Sequence, residues 1–150
     1  MRKIFLIAFL VTNFFALAQD IQIKDGLYYS GKKLYSGVYK EFYKEGKVNI
    51  EMNIEKGKLN GEYIVYFESG KKQELRNYEK GLKNGLWCTW NENGNKTAEA
   101  NYNNDQKDGK WFIWDEKGQK RYEMYYSKGE KTGVWIMWDE TGAITMKKEY

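Results

Sequence analysis

Hydrophobic and polar residues alternate over short segments of this chain, and the segments are separated by turns that contain glycine. Ala98 and Ala100 are predicted to point to one face of a strand and Thr97 to the other, the period of two that β structure requires. The turn residues are Gly46, Gly57, Gly70, Gly81, Gly94, Asp105, Gly118, Gly129 and Gly142. They lie 11 and 13 residues apart in alternation, which accommodates one strand but no helix with its connections. The pattern predicts an all-β protein, a continuous antiparallel β-meander.

The predicted hairpins repeat with a step of 24 residues. The segment EKGKLNGEYIVY, which starts at Glu55, aligns with EKGLKNGLWCTW, which starts at Glu79. Self-similarity at a fixed step is the signature of a tandem array. Five units fit without insertion, at residues 31–54, 55–78, 79–102, 103–126 and 127–150. Residues 19–30 precede them and are predicted to form two N-terminal capping strands, at 21–24 and 27–30.

The first strand of each unit carries apolar bulk on both predicted faces, unlike the second strand. Two columns of tryptophan run along the repeats, one of Trp87, Trp111 and Trp135 and the other of Trp90, Trp114 and Trp138. The columns belong to opposite faces, because their members are three residues apart on the same strand. Each column is either core, since a buried ring removes about 150–250 Å² of surface from water, or an exposed stacking surface for a ligand. These six residues are the candidate binding residues.

Three of the units share the pattern Gly-x-Trp-x-x-Trp, followed by three residues and a further glycine, as in the stretch from Gly85 to Gly94, and the first two units have other aromatic residues at the tryptophan positions. This pattern resembles the MORN-repeat variant that occurs in tandem in many bacterial proteins, some of them labelled YwqK-family antitoxins. The resemblance covers residues 31–150. It implies hairpins joined into an elongated, twisted single sheet, and a role in contacts with proteins or membrane surfaces.

The first 18 residues differ in character from the repeats. Arg2 and Lys3 precede an apolar stretch, and Ala16-Leu17-Ala18 has the small residues that signal peptidase accepts. The stretch 4–18 has 15 residues, whereas a helix needs roughly 20 to span a bilayer. We therefore expect a signal peptide at residues 1–18, cleavage after Ala18, and export to the periplasm or the medium.

Composition argues against several classes of function. The chain has no histidine and a single cysteine, Cys88, so imidazole-based catalysis and an intrachain disulfide are both excluded. Removal of Arg2 and Lys3 with the signal peptide lowers the net charge from +4 to +2, which is too balanced to indicate a nucleic-acid partner. Glutamates at 68, 92, 116 and 140 recur two strands apart, roughly 10 Å, too far to share a metal ion. We expect no enzymatic activity, no cofactor and no metal site.

These observations predict a non-enzymatic, exported repeat protein that acts as a protein-binding or scaffold module. Two alternatives stay open at this stage. One is a binder of cell-envelope glycan or choline-like groups through the aromatic columns, and the other is an antitoxin or immunity-type protein that neutralises a toxin. The expected partner is a protein, with a cell-envelope glycan or a membrane surface as the alternative, and no nucleic acid.

Overall fold

The computed structural model describes residues 21–150, and the predicted signal peptide lies outside this range. Every regular element in the range is a β-strand. In chain order the strands are β1 (Ile21–Lys24), β2 (Leu27–Ser30), β3 (Lys33–Leu34), β4 (Gly37–Phe42), β5 (Val48–Glu55), β6 (Lys58–Tyr66), β7 (Lys72–Glu79), β8 (Leu82–Lys83), β9 (Gly85–Trp90), β10 (Lys96–Asn103), β11 (Gln106–Lys107), β12 (Gly109–Trp114), β13 (Lys120–Ser127), β14 (Glu130–Trp138) and β15 (Ile144–Glu149).

Most of the described chain forms one open antiparallel sheet. Its long strands follow each other in the order β4-β5-β6-β7-β9-β10-β12-β13-β14-β15, with the short strands β8 and β11 attached to β7 and β10. Strands β1 to β3 form a separate small sheet at the N-terminal end. The predicted all-β meander is confirmed, and its two terminal strands, β4 and β15, leave the sheet unclosed.

Two kinds of turn alternate along the meander, and each accounts for one set of the glycines that recur at the 24-residue step. The tight turn at Lys80-Gly81 has positive φ at both residues, 50° and 90°, as two-residue hairpin turns require. The wider turn closes through two backbone hydrogen bonds, from Asn91 N to Asn95 O at 3.0 Å and from Gly94 N to Asn91 O at 2.9 Å. Glycine and asparagine tolerate these conformations best, so the turn residues fix where each strand ends.

A kink in each first strand accounts for the glycine that stands two residues before its first aromatic residue. Gly109 has a φ of +93°, and a Cβ placed on it would lie 3.4 Å from the Cβ of Asn101. Asn101 Nδ2 bridges the kink by donating to Lys110 O at 2.8 Å. The cross-strand partner of Gly109 is Tyr126. Glycine is therefore required both for its backbone conformation and for the side chain that packs against it.

Successive units are also joined at their turns. At the tight-turn end, Gly81 N donates to Leu59 O at 2.8 Å, and the equivalent contact in the fifth unit joins Gly129 N to Lys107 O. At the wide-turn end, Lys71 Nζ donates to Glu92 O at 2.9 Å. Each unit is thus tied to its neighbours at both ends, as expected for an array in which adjacent repeats stabilise each other.

Because the sheet is a single layer, few of the described side chains are fully buried. The most buried apolar side chains are those of Met52, Ile54, Ile64, Cys88 and Trp135. The strict alternation expected of the second strands fails at their first residues, where bulges interrupt the register. Thr97 has no cross-strand partner on β9, and its hydroxyl lies 2.7 Å from that of Thr89. It is not directed to the face opposite Ala98 as predicted.

Candidate binding surfaces

One face of the sheet carries a continuous row of aromatic rings. We call it the ladder face. Its tryptophans, Trp87, Trp111 and Trp135, alternate with tyrosines from the second strands. The complete ladder is Tyr63, Tyr78, Trp87, Tyr102, Trp111, Tyr126, Trp135 and Tyr150. From Tyr78 onward neighbouring centroids are 4.9–5.4 Å apart with tilted or edge-on planes, the geometry that aromatic pairs favour.

The three tryptophans of the ladder are also held by hydrogen bonds. Each Nε1 donates to a backbone carbonyl of the preceding strand, Trp87 to Asn77 at 2.9 Å and Trp111 to Asn101 at 3.1 Å. Trp135 donates to Tyr125 O at 3.0 Å and is 8% exposed. Rings that are packed on both sides and tethered through their indole nitrogens belong to the framework of the sheet. Of the three, Trp135 is buried and Trp87 and Trp111 are half-buried.

A row of lysines covers this ladder. Lys83, Lys107 and Lys131 occupy equivalent positions in three consecutive units, and each ammonium lies over two neighbouring rings. Lys107 Nζ is 4.5 Å from the centroid of Trp111 and 4.7 Å from that of Tyr126. The distances for Lys83 are 5.0 and 5.0 Å, and those for Lys131 are 4.5 and 4.9 Å. We call these residues the lysine row, and they make cation–π contacts with the ladder from Trp87 to Tyr150.

The lysine row has no acidic partners. Within residues 21–150, none of its three ammonium groups forms an ion pair. Arg76, which lies 5.5 Å from the centroid of Trp87, is the exception among the cations of this face, because it pairs with Glu74. The ladder face therefore presents positive charge that the described residues do not neutralise.

The opposite face, which carries Trp90, Trp114 and Trp138, is built differently. Its rings are half-buried, and their indole nitrogens donate to no residue within 21–150 and are not buried. Phe112 lies beside Trp114 with the centroids 5.6 Å apart. Lys120 covers both Phe112, at 4.6 Å, and Trp138, at 5.7 Å. This second column thus keeps free hydrogen-bond donors at the surface.

Two lysines on the opposite face that lie near rings are paired with glutamates. Lys96 Nζ lies 2.6 Å from Glu99 and Lys120 Nζ lies 2.8 Å from Glu123. The hydrogen bond to Glu99 raises the pKa of Lys96. The pKa of Glu123 is lowered by the hydrogen bond from Lys120 and by a second one from the hydroxyl of Tyr125, at 2.5 Å. The two faces therefore differ in charge, since two ring-stacked lysines of the opposite face are neutralised by glutamates and the lysine row is not.

The edges of the sheet differ as well. On β4, Val38 and Phe42 are 45% and 57% exposed, so the N-terminal edge has an apolar surface. On β15, Lys147, Lys148 and Glu149 follow each other, and consecutive charges of this kind protect an edge strand from pairing with other chains. An extended partner segment would find its apolar contacts at the N-terminal edge.

Neither a reactive thiol nor a metal centre is evident in the described range. Cys88 is 3% exposed, and burial raises the pKa of its thiol, which disfavours the thiolate that nucleophilic or metal chemistry needs. No group of three or more potential metal ligands occurs within residues 21–150. In the same range no helix is long and apolar enough to cross a membrane.

The structure thus separates the six predicted residues into a tethered set, Trp87, Trp111 and Trp135, and a set with free indole nitrogens, Trp90, Trp114 and Trp138. The lysine row was missed by sequence reasoning. Its signal is visible in the sequence, because Lys83, Lys107 and Lys131 recur at the 24-residue step. Only the structure shows that these side chains lie over the rings.

Comparison with protein families identifies the repeats. The family model described as MORN repeat variant matches residues 35–56, 59–80, 83–104 and 107–128, together more than half of the chain. The four matches recur at the 24-residue step of the sequence and cover strands from β4 to β13. No curated protein shows significant similarity to the chain.

Proposed function

The chain belongs to the MORN repeat variant family, and on this basis we propose that it is a non-catalytic binding module that holds a protein partner. A single-layer sheet has two broad faces and two edges, and all of them are available for contact. Partners of this kind bind through large surfaces with a few central anchors. An elongated array of repeats suits that role better than it suits a small ligand, which generally needs a deep and mostly apolar cleft.

This proposal rests on how the ladder tryptophans are held in the sheet. Trp87, Trp111 and Trp135 are tethered through their indole nitrogens and packed between tyrosines. A sugar ring or a quaternary ammonium needs an accessible aromatic face, and this column has its faces covered by neighbouring rings and lysines. Because the faces of these rings are covered, the column favours contact through the charged side chains and the edges, through which protein partners are recognised.

We propose further that the module acts outside the cytoplasm, since the sequence of residues 1–18 has the features of a signal peptide. The exported protein is expected to begin at Gln19. Intact-mass measurement of the protein recovered from the cell envelope or the medium tests this. A mass that still includes residues 1–18 would contradict export with cleavage.

Photo-crosslinking in the producing cells tests the binding function and locates the partner. A photoreactive phenylalanine analogue is placed at Ile113 on the ladder face, at Thr145 near the C-terminal edge, at Val38 on the N-terminal edge and at Lys110 on the opposite face. We expect a protease-sensitive adduct of defined mass from at least one position and none from a matched position on another surface. Absence of a protein adduct from all four positions, with the protein folded and present, would contradict the proposal.

A second function is supported by one specific observation on the opposite face. Trp90, Trp114 and Trp138 are half-buried and have free indole donors, so this column has both a stacking surface and donors for a glycan chain. Co-sedimentation with purified cell-wall glycan tests it. Trp114→Ala is expected to abolish sedimentation if the glycan is the ligand, whereas Trp111→Ala reports on general damage to the fold. Failure of the folded wild-type protein to sediment would rule this function out.

A further inference from the structure

The charge of the lysine row and the spacing between its members indicate the charge and the conformation of a ligand. Resting on the proposed protein-binding function, we propose that Lys83, Lys107 and Lys131 bind an acidic, extended segment of the partner with a carboxylate at every third residue. The segment would run across the strands, along the aromatic ladder.

The charge of the row supports an anionic ligand. Its three ammonium groups form no ion pair within the described range, although Lys96 and Lys120 on the opposite face, also stacked near rings, are both paired with glutamates. Glutamates therefore neutralise these two ring-stacked lysines of the opposite face, whereas the lysine row is left available. Charge-assisted bonds to carboxylates are the strongest contacts that such ammonium groups can make.

Spacing selects the conformation of the ligand. Lys83, Lys107 and Lys131 stand at the same position of consecutive two-strand units, so their strands are roughly 10 Å apart. A polyproline II segment has three residues per turn and rises about 9.3 Å per turn. Carboxylates at every third position of such a segment would all point to the sheet and meet successive lysines. A β-strand ligand repeats its side-chain direction every second residue, or about 7 Å, and matches this spacing less well.

The surface between the lysines also fits a polyproline II segment. Each ammonium lies within 5.0 Å of two ring centroids, so a tyrosine ring and a tryptophan ring lie next to every charged position. Proline-rich segments are preorganised and dock against aromatic side chains in several recognition domains. Beside Trp87, the small side chains of Ala98 and Ala100 leave a shallow depression, which the paired Glu74 and Arg76 also line. Proline side chains could contact the rings there.

Synthetic peptides with identical composition test the spacing directly. The probe is a fluorescent peptide of five Glu-Pro-Pro units, and the matched control has the same five glutamates clustered before ten prolines. A peptide of five Lys-Pro-Pro units controls for non-specific adsorption to aromatic surface. Fluorescence anisotropy is measured with residues 19–150 at several salt concentrations. We expect the regular acidic peptide to bind, more tightly than the clustered one, and to weaken with salt.

Variants assign the binding to the lysine row. K83Q/K107Q/K131Q is expected to bind the regular peptide about tenfold more weakly, the sum of three partly screened charge contacts. The matched control, K96Q/K120Q, removes two lysines from the opposite face and is expected to leave binding unchanged. K83R/K107R/K131R keeps the charge and the cation–π contacts, so it should bind normally and shows whether a loss in the glutamine variant reflects damage to the fold.

Three results would overturn this inference. They are equal affinity for the regular and clustered peptides, equal loss in K83Q/K107Q/K131Q and K96Q/K120Q, and binding to vesicles with anionic headgroups in preference to both peptides. A protein adduct that persists in the K83Q/K107Q/K131Q variant during photo-crosslinking would leave the protein-binding function standing and contradict the lysine row as its site. Absence of any adduct together with peptide binding would contradict the proposed function alone.

Discussion

At the scale of single residues, the chain places similar side chains in different electrostatic surroundings on its two faces. Lys107 lies over two rings and has no carboxylate partner, whereas Lys120 lies over two rings and is paired with Glu123. The difference arises from the second strands, which place glutamates at 99 and 123 on the opposite face but alanine and methionine at 100 and 124 on the ladder face. The alternating residues of each second strand thereby determine whether the lysines of either face have a carboxylate partner.

Glu123 is expected to make stability depend on pH. Its pKa is lowered in the folded protein, chiefly by hydrogen bonds from Lys120 and Tyr125. Its stabilising contribution is therefore present above the unfolded value near 4.5 and disappears as the pH falls through the lower folded value. Glu123→Gln should lower the free energy of unfolding at pH 7 by about 1 kcal/mol. Urea unfolding of the wild type and the variant at pH 7 and pH 3 measures this difference in the free energy of unfolding.

The control for this experiment is Glu140→Gln, which changes an exposed glutamate in a turn. We expect this substitution to leave the free energy of unfolding unchanged at both pH values. A loss in Glu123→Gln that is as large at pH 3 as at pH 7 would show that the effect of the substitution comes from packing and not from the charge of the carboxylate.

Cys88 provides a second residue-scale test. Its side chain is 3% exposed, and burial raises the pKa of its thiol, so alkylation in the native state should require opening of the sheet. Iodoacetamide labelling at pH 8 is expected to be much slower in the folded protein than in 6 M guanidinium. Labelling at the rate of the unfolded chain would show that strands β7, β9 and β10 open readily around this residue.

At the scale of the strands, glycines and asparagines control the geometry of each hairpin. The strand bounds near the N-terminus agree with those expected from the turns, since β1 and β2 occupy Ile21–Lys24 and Leu27–Ser30. The kink at Gly109 is local, and it is bridged by the side chain of Asn101. The second strands contain bulges, and these are set by the register between neighbouring strands.

Substitution of Gly109 tests the kink. Gly109→Ala should lower the free energy of unfolding by about 2 kcal/mol, because the residue has a positive φ and its new Cβ would press against Asn101. Gly118→Ala is the matched control, since Gly118 also has a positive φ but nothing lies within 4 Å of the site of its Cβ. It should cost about 1 kcal/mol. If thermal or urea unfolding shows the same decrease in the free energy of unfolding for both variants, the close packing at Gly109 does not add to the cost of the substitution.

Sequence patterns predicted much of this architecture and less of its surfaces. Turn residues and the 24-residue step were sufficient for the strands, the meander and the placement of the tryptophans on two faces. They did not predict the bulge at Thr97, because a bulge depends on how two strands pair. They did not predict that the lysine row covers the rings either. A lysine side chain is long and flexible and can contact several neighbours, so its conformation depends on the surface that the folded strands form around it.

At the scale of the whole molecule, no second layer covers the sheet within residues 21–150, so the contacts that stabilise it there lie within the layer. The ladder runs from Tyr63 to Tyr150 and crosses every unit boundary between them. The hydrogen bonds at the turns join the same units. This arrangement leaves the opposite face, the edges and the lysine row available to partners, which is the basis of the proposed binding function.

The most direct test of this division between framework and binding surface compares two tryptophans of one strand, Trp111 and Trp114. Trp111→Ala removes a tethered ring with ring neighbours on both sides and should lower the free energy of unfolding by about 3 kcal/mol. Trp114→Ala removes a half-buried ring whose indole nitrogen has no partner within the described residues and should cost about 1 kcal/mol. Urea unfolding of both variants beside the wild type measures the difference. A neutral Trp111→Ala, or a larger loss in Trp114→Ala, would contradict the assignment of the ladder as the framework of the sheet.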